Sequence, residues 1–127
     1  MIPVPWWRPV PIKGYEAVYE VSYDGKVRSI RAGKIMATYI AGWGMNYEYV
    51  DLSYKGKRKK CRVHRLVALA FIPNPYRKSQ VNHKDFNTLN NHGDNLEWMT
   101  DQENSMYNYF MTAHEGIDWD DTVAVGE

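Results

Sequence analysis

Residues 81–103, VNHKDFNTLNNHGDNLEWMTDQE, form the stretch that decides the fold of this chain. Its first three residues, 81–83, are typical of a short strand, and residues 96–99 are typical of the strand that returns beside it. Residues 87–95 between them contain four asparagines and a glycine, which favour turns. The stretch therefore predicts two short strands joined by a polar loop.

Helices are predicted on both sides of this pair of strands. Thr100 and Glu103 have the spacing of a capping box, so we expect a helix from about residue 101 to about residue 111. Upstream, apolar residues recur with helical spacing over residues 63–71, and Pro73 ends that pattern.

The segment before the upstream helix has the composition of an antiparallel sheet. It is rich in aromatic and β-branched residues, and Asp24-Gly25 and residues 54–57 are typical of tight turns. We predict strands at residues 19–22, 27–30, 35–40, 48–53 and 58–63.

Composition excludes several classes of protein. The chain has 127 residues, a hydrophobic share of 44% and a charged share of 24%, which are ordinary values for one globular domain. No apolar run reaches the ~18 residues of a membrane helix, and the first residues lack the pattern of a secretory signal. Cys61 is the single cysteine, so an internal disulfide is excluded, and no second close pair accompanies Cys61 and His64 in a zinc-finger spacing. We therefore expect a cytoplasmic protein without a membrane contact.

The net charge of +1 hides a strong asymmetry along the chain. All 16 basic residues lie at or before Lys84 together with 5 acids, which gives 16 − 5 = +11 for residues 1–84, and the other 10 acids follow. A polyanion such as nucleic acid rewards clustered cations through counterion release. The alternative is that the two halves simply neutralise each other in the fold.

The predicted hairpin and its capped helix bring together groups that suit hydrolytic chemistry. Asn82 and His83 lie on the first strand, and Asn104 lies in the first turn of the following helix. Two amide oxygens suit a hard cation such as Mg²⁺, and a neutral imidazole can take a proton from water.

In these residues the sequence resembles the HNH endonucleases, most of all the phage and intron-encoded homing or nicking enzymes with a ββα-metal fold. The resemblance rests on residues 63–68, 81–85, 90–91, 95–98 and Asn104. Residues 7–10, 12–16, 19–22 and 24–29 resemble a sheet module that often precedes this nuclease core. Together the two modules cover about residues 6–105.

The resemblance implies a role for each residue of the motif. His83 would be the general base, Asn82 and Asn104 would hold one Mg²⁺ or Mn²⁺ ion, and Asn95 would tie the loop between the strands into shape. The implied catalytic set is therefore His83, Asn95 and Asn104, and no catalytic role is assigned to His64. Many relatives have Asp at the position of Asn82, and a neutral amide binds metal less strongly than a carboxylate.

A run of basic residues around the second turn predicts contacts to phosphates. Lysines at a sheet edge discourage aggregation, but that explains two or three of them and not six. We predict DNA contacts at Lys55, Lys57, Arg58, Lys59, Lys60 and Arg62, extended by Arg28 and Arg31.

Together these observations predict an α+β protein that cleaves DNA. Residues 1–62 would form the antiparallel sheet module with its basic hairpin, residues 63–112 the linking helix and the ββα-metal core, and residues 113–127 an acidic tail. We expect metal-dependent hydrolysis of double-stranded DNA by a monomer or weak dimer, and nicking because each chain has one core. The alternative is a catalytically weak or inactive relative that binds DNA or a partner protein; only the enzyme requires a bound metal for its effect.

Overall fold

A computed structural model describes residues 6–106 of the chain. Within these residues seven strands precede the first helix, and a 3-10 turn at Gly93–Asn95 precedes the last strand. In chain order the elements are β1 (Trp7–Pro9), β2 (Tyr19–Ser22), β3 (Val27–Ser29), β4 (Lys34–Ile35), β5 (Tyr39–Ala41), β6 (Tyr47–Tyr54), β7 (Lys57–Arg62), α1 (Val63–Phe71), β8 (Gln80–His83) and β9 (Leu96–Met99). Residues 101–106 are helical.

The strands form three separate antiparallel sheets, in the orders β1-β2-β3-β4, β5-β6-β7 and β8-β9. This confirms the predicted α+β class with antiparallel sheets. The predicted single strand over residues 35–40 is wrong, because the chain leaves one sheet and enters another within it. Met36 donates its N–H to Val27 O and packs against the core, whereas the Thr38 hydroxyl donates to Glu48 Oε2 at 2.6 Å. The chain therefore turns between β4 and β5.

Tight turns set the register of the basic hairpin. Lys55 and Gly56 connect β6 to β7 with φ angles of +52° and +78°. Two consecutive residues with positive φ give a turn whose twist matches that of the strands, so the pairing runs without a slip from Tyr54↔Lys57 to Tyr49↔Arg62.

The helix α1 provides the shared core of the three sheets. Its apolar face, formed by Val63, Leu66 and Val67, is buried, and α1 contacts strands of all three sheets. Side chains from each sheet join the same buried cluster: Val21 and Val27, Val50 and Leu52, and Val81 and Leu96. The helix ends at Phe71, before Pro73, as predicted.

The polar loop before β9 docks against the first sheet. Gly93 donates its N–H to Tyr23 O at 2.7 Å, and Tyr23 Oη donates to Asp94 Oδ1 at 2.8 Å. A Cβ atom added at Gly93 would lie 2.3 Å from the Tyr23 ring, so the two segments touch without a gap. The loop is thus fixed from outside the hairpin that contains it.

The capping box predicted before the last helix is present. Glu103 donates its N–H to Thr100 Oγ1 at 3.0 Å, and Thr100 donates its N–H to Glu103 Oε1 at 2.9 Å. The helix is described through residue 106, so its predicted extent to residue 111 lies beyond the described residues. The predicted acidic tail at residues 113–127 lies outside them as well, and the predicted module boundaries stay predictions. Within residues 6–106, no helix is long and apolar enough to cross a membrane.

One histidine of α1 is buried without a partner for its ring nitrogen. Within the described chain, Nδ1 of His64 has no hydrogen bond, and the ring stacks on Tyr47 with centroids 5.2 Å apart. Burial, followed by the nearby His83, Arg62 and Arg65, lowers the pKa of His64 to about 3. The imidazole is therefore neutral in the folded protein at any pH near neutrality.

Replacing Gly93 by Ala should undock the loop and lower the free energy of unfolding by about 1–3 kcal/mol, because the new methyl group overlaps the Tyr23 ring. Chemical denaturation of Gly93→Ala, Tyr23→Ala and the double variant measures this. The Gly93 substitution should cost clearly less in the Tyr23→Ala background; strictly additive losses would contradict the contact.

Folding should also become less favourable in mild acid because of His64. The unfolded chain binds a proton at His64 below pH ~6.5, whereas the folded chain does so only near pH 3. The free energy of unfolding therefore has its full contribution from His64 above pH ~6.5 and loses it progressively as the pH falls from 6.5 toward 3. Between pH 7.5 and 5.5 this histidine should account for a loss of about 1.4 kcal/mol. His64→Phe retains a ring against Tyr47, and denaturation curves should show a loss smaller by that amount. An equal loss in both proteins would contradict the burial of a neutral His64.

Candidate active site

Asn82, His83 and Asn104 line one small cavity of about 50 Å³. β8 supplies the first two residues, and the helix over residues 101–106 supplies the third. The rest of the wall is formed by Met45, Tyr47, Val81, Phe86 and Thr88. The structure therefore brings the three residues of the predicted hydrolytic centre together.

Pairing of β8 with β9 orients Asn82. Asn82 lies opposite Glu97 in the antiparallel register, and its Nδ2 donates to Glu97 Oε2 at 3.2 Å. The two polar atoms of an amide point in different directions, so this bond turns Oδ1 away from Glu97. An amide oxygen held in this way can accept from a water or coordinate a cation.

His83 is buried and held by a hydrogen bond to the polar loop. Its Nε2 lies 2.9 Å from Asn91 Oδ1, and Asn91 Nδ2 in turn donates to Glu48 Oε1 at 2.8 Å. Burial lowers the pKa of His83, opposed by the hydrogen bond with Asn91 and by the negative charge of Asp85. The imidazole of His64 lies beside it, with ring centroids 4.8 Å apart.

Asn95 is buried in the loop and ties it together. Its Nδ2 donates to Asp85 Oδ1 at 2.8 Å and to Asn90 O at 2.9 Å, while its Oδ1 accepts the N–H of Asp85 at 3.0 Å. Hydrogen bonds from Asn90, Asn87 and Asn95 lower the pKa of Asp85. Asn95 does not line the cavity of His83, and its predicted place among the catalytic residues stays a prediction.

The donors around the cavity fit an oxygen-preferring cation better than a soft metal. Within the described residues, no group of three or more His, Cys, Asp or Glu side chains could hold a metal ion. Asn82 and Asn104 offer amide oxygens, and a cation with few protein ligands retains several waters. A volume of about 50 Å³ has room for about one or two water-sized ligands, and further ligands would come from outside the cavity.

The basic hairpin presents part of its charge on the same side as the cavity. Side chains alternate along a strand, so Arg58, Lys60 and Arg62 share one face of β7 and Cys61 points into the core on the other. The ring of Tyr49 lies under both Lys60 and Arg62. Its centroid is 4.4 Å from Lys60 Nζ and 5.8 Å from Arg62 Cζ. Arg62 also lies 5.0 Å from the ring centroid of Tyr47, which lines the cavity. The row Arg58, Lys60 and Arg62 therefore ends beside a residue that lines the cavity of His83.

The other predicted contact residues lie elsewhere. Lys57 and Lys59 lie on the opposite face of β7, and Lys55 lies in the turn, 5.3 Å from the Tyr54 ring centroid. Arg28 belongs to the first sheet, where it pairs with Glu20 at 2.8 Å and covers the Trp7 ring. Arg31 is exposed beyond β3. The contacts of all eight predicted residues with DNA stay predictions.

Sequence reasoning missed Glu48, Asn91 and Tyr47. Asn91 was part of the motif without a role, and Glu48 and Tyr47 come from the sheet module, more than 30 residues from His83. The role of Asn91 could have been found from the sequence, because Asn91 lies in the polar loop only eight residues from His83. The glutamate that binds this amide has none, because the contact spans 43 residues.

Two family models match adjoining parts of the chain. Residues 61–106 match the model of the HNH endonuclease domain, and residues 7–65 match the NUMOD4 motif. Together these matches cover residues 7–106.

Individual relatives agree with the family models. DNA endonuclease I-HmuI of Bacillus phage SP01 is 43% identical over 93 residues, which are 73% of this chain and 52% of that protein. An uncharacterized HNH endonuclease of Acanthamoeba polyphaga mimivirus is 41% identical over 68% of this chain and 26% of its own length. H-N-H endonuclease F-TflII of Escherichia phage T5 is 34% identical over 67% of this chain and 44% of its own length. The chain thus spans between about a quarter and about half of these relatives.

A solved structure has the same fold. The structure described as DNA binding and cleavage by the HNH homing endonuclease I-HmuI has a TM-score of 0.72 and 37% identity, and covers 84% of this chain and 59% of that one. The sequence matches and the shared fold agree on one conclusion: this chain belongs to the HNH endonuclease family, with a NUMOD4 module before its HNH domain.

Proposed function

We propose that this chain is a divalent-metal-dependent DNA endonuclease that nicks double-stranded DNA. The observation that carries the proposal is the cavity that Asn82, His83 and Asn104 line together. With one HNH domain in the chain, one phosphodiester is hydrolysed in each encounter, and a monomer or weak dimer suffices.

His83 is the general base of the proposed reaction. Its lowered pKa keeps the ring neutral near neutral pH, which a base requires. Because Nε2 is bonded to Asn91, Nδ1 is the nitrogen that takes a proton from water. The water oxygen bonds to phosphorus, the bond to the 3′-oxygen breaks, and a 5′-phosphate remains.

Asn82 and Asn104 would hold one Mg²⁺ or Mn²⁺ ion. Oδ1 of Asn82 is directed away from Glu97 by the bond of its Nδ2, and Asn104 comes from the adjacent helix. When bound, such an ion stabilises negative charge on phosphate oxygens and on the leaving oxygen. With two amide donors, we expect the ion to bind weakly and to retain several waters.

DNA approaches over the basic row of β7. Arg58, Lys60 and Arg62 stand at alternate positions, roughly 7 Å apart along the strand. Their charges bind phosphates without reading bases, and the row ends beside Tyr47 at the cavity. The DNA endonuclease I-HmuI, a relative with this fold, supports DNA as the substrate.

Supercoiled plasmid should be converted to open circles by the wild-type protein with Mg²⁺ or Mn²⁺, and not with EDTA. His83→Ala should lower the rate about 10²–10⁴-fold because the base is lost. His92→Asn is the matched control, since the new amide retains an acceptor for the Asp94 N–H that His92 Nδ1 now accepts. Gel electrophoresis of the plasmid measures the rate. DNA binding without cleavage under every metal condition would instead support the non-catalytic binding module.

Removing one charge from the basic row should weaken DNA binding equally for all sequences. Arg58→Ala and Lys60→Ala should each reduce the slope of log K against log salt by about 1, because one phosphate contact is lost. Lys57→Ala and Lys59→Ala, on the opposite face, should reduce it less. Fluorescence anisotropy over a salt series measures the slopes, with Lys13→Ala as control for loss of a single charge. Equal slopes in all variants would exclude β7 as the contact strand.

A further inference from the structure

We infer that Glu48 of the sheet module is a positioning residue for His83: acting through Asn91, it determines which imidazole nitrogen carries the proton. The inference rests on the proposed role of His83 as general base. It makes the NUMOD4 module part of the catalytic apparatus, in addition to any part it plays in binding DNA.

Three side chains form a continuous hydrogen-bonded chain across the two modules. His83 Nε2 lies 2.9 Å from Asn91 Oδ1, and Asn91 Nδ2 lies 2.8 Å from Glu48 Oε1. The second carboxylate oxygen, Oε2, accepts the hydroxyl of Thr38 at 2.6 Å. Glu48 is thus held at both oxygens, by an amide and by a hydroxyl.

The donor and acceptor chemistry of these three side chains allows only one direction of donation along their hydrogen bonds. An ionised carboxylate only accepts, so Asn91 must present its amide nitrogen to Glu48 and its carbonyl oxygen to His83. A carbonyl oxygen also only accepts, so the facing ring nitrogen, Nε2, must carry the proton. The lone pair of the neutral ring is then on Nδ1, the nitrogen left for water.

Packing fixes the position of Asn91, and its hydrogen bonds fix the orientation of its amide. The side chain is buried, and the turn between β2 and β3 presses against it, since a Cβ atom at Gly25 would lie 3.0 Å from Asn91 O and 3.1 Å from Asn91 Cβ. A flipped amide would place its oxygen against the carboxylate of Glu48 and leave a buried donor facing His83, at a cost of about 1–3 kcal/mol.

A purely structural clamp would predict a different behaviour. If the bond only docks the loop, as the contact between Gly93 and Tyr23 does, any group of the same size that bonds Asn91 suffices. The glutamine side chain introduced by Glu48→Gln has that size, but its amide both donates and accepts. It therefore tolerates either orientation of Asn91 and no longer selects a tautomer of His83.

The test combines a spectroscopic measurement with a rescue. Long-range ¹H–¹⁵N spectra of histidine side chains distinguish the two neutral tautomers, and His83→Ala assigns the signal. Wild type should show the Nε2–H form, and Glu48→Gln a mixture of both forms. At saturating plasmid, Glu48→Gln should lower kcat about 10–100-fold with little change in KM, because the base and not DNA binding is affected. Glu16→Gln, which removes an exposed carboxylate from the same module, is the control.

The double variant Glu48→Gln/Asn91→Asp provides the rescue. The carboxylate introduced at position 91 can only accept from Nε2–H, and the glutamine amide introduced at position 48 donates to that carboxylate. The direction of donation along the hydrogen bonds is thereby restored, and the negative charge is moved from position 48 to position 91. The double variant should recover the single tautomer and most of kcat. Asn91→Asp alone should do worse than the double variant, because two carboxylates then face each other.

The outcomes separate this inference from the proposed function. A wild-type tautomer and kcat in Glu48→Gln, together with an inactive His83→Ala, would overturn the positioning role and leave the endonuclease intact. Full cleavage by His83→Ala would contradict the proposed role of His83 as general base. The spectra would still test whether Glu48 determines the tautomer of His83. If Glu48→Gln fails to fold, the double variant decides: a single Nε2–H form supports the inference, and mixed tautomers overturn it.

Discussion

Burial of α1 is the constraint on which the other features of the molecule depend. Sheets of four, three and two short strands cannot each enclose a core, because a few strands need a covering layer to exclude water. α1 is that layer for all three, through Val63, Leu66 and Val67. The same helix carries His64 beneath Tyr47 and beside His83, so the element that closes the core also sets the distance between the basic hairpin and the candidate active site.

Three hydrogen bonds between an asparagine amide and a carboxylate fix the orientation of the polar side chains in and around the site. Asn82 bonds Glu97, Asn91 bonds Glu48, and Asn95 bonds Asp85, each through Nδ2. In each pair the carboxylate fixes the nitrogen and thereby aims the oxygen: away from Glu97, toward His83, and toward the N–H of Asp85. The abundance of asparagine in this motif follows from that arrangement, since an amide offers a donor and an acceptor on a short, rigid side chain.

Local signals in the sequence predicted much of this structure. The capping box at Thr100, the end of α1 before Pro73 and the strand over residues 96–99 each depend on neighbours within a few residues, and each is present. The break between β4 and β5 was missed because residues 35–40 are nearly all apolar, which gives no local signal of where one sheet ends. Met36 belongs to the core of one sheet, whereas Thr38 faces a strand of the next. The motif indicated that Asn82, His83 and Asn104 belong together. It could not indicate Glu48, because the fold alone brings that residue within reach of Asn91.

The docking of the loop on Tyr23 also bears on how such proteins diversify. The two modules match separate family models, which invites the view that they are exchanged freely between genes by recombination. Here a glycine of the HNH domain has no side chain where a tyrosine ring of the NUMOD4 module lies against it. A recombinant that joined this HNH domain to a foreign module would retain Gly93 but not the tyrosine ring that packs against it. Successful exchanges should therefore be those in which Gly93 and Tyr23 travel together, and the junction would lie outside the span from Tyr23 to Gly93.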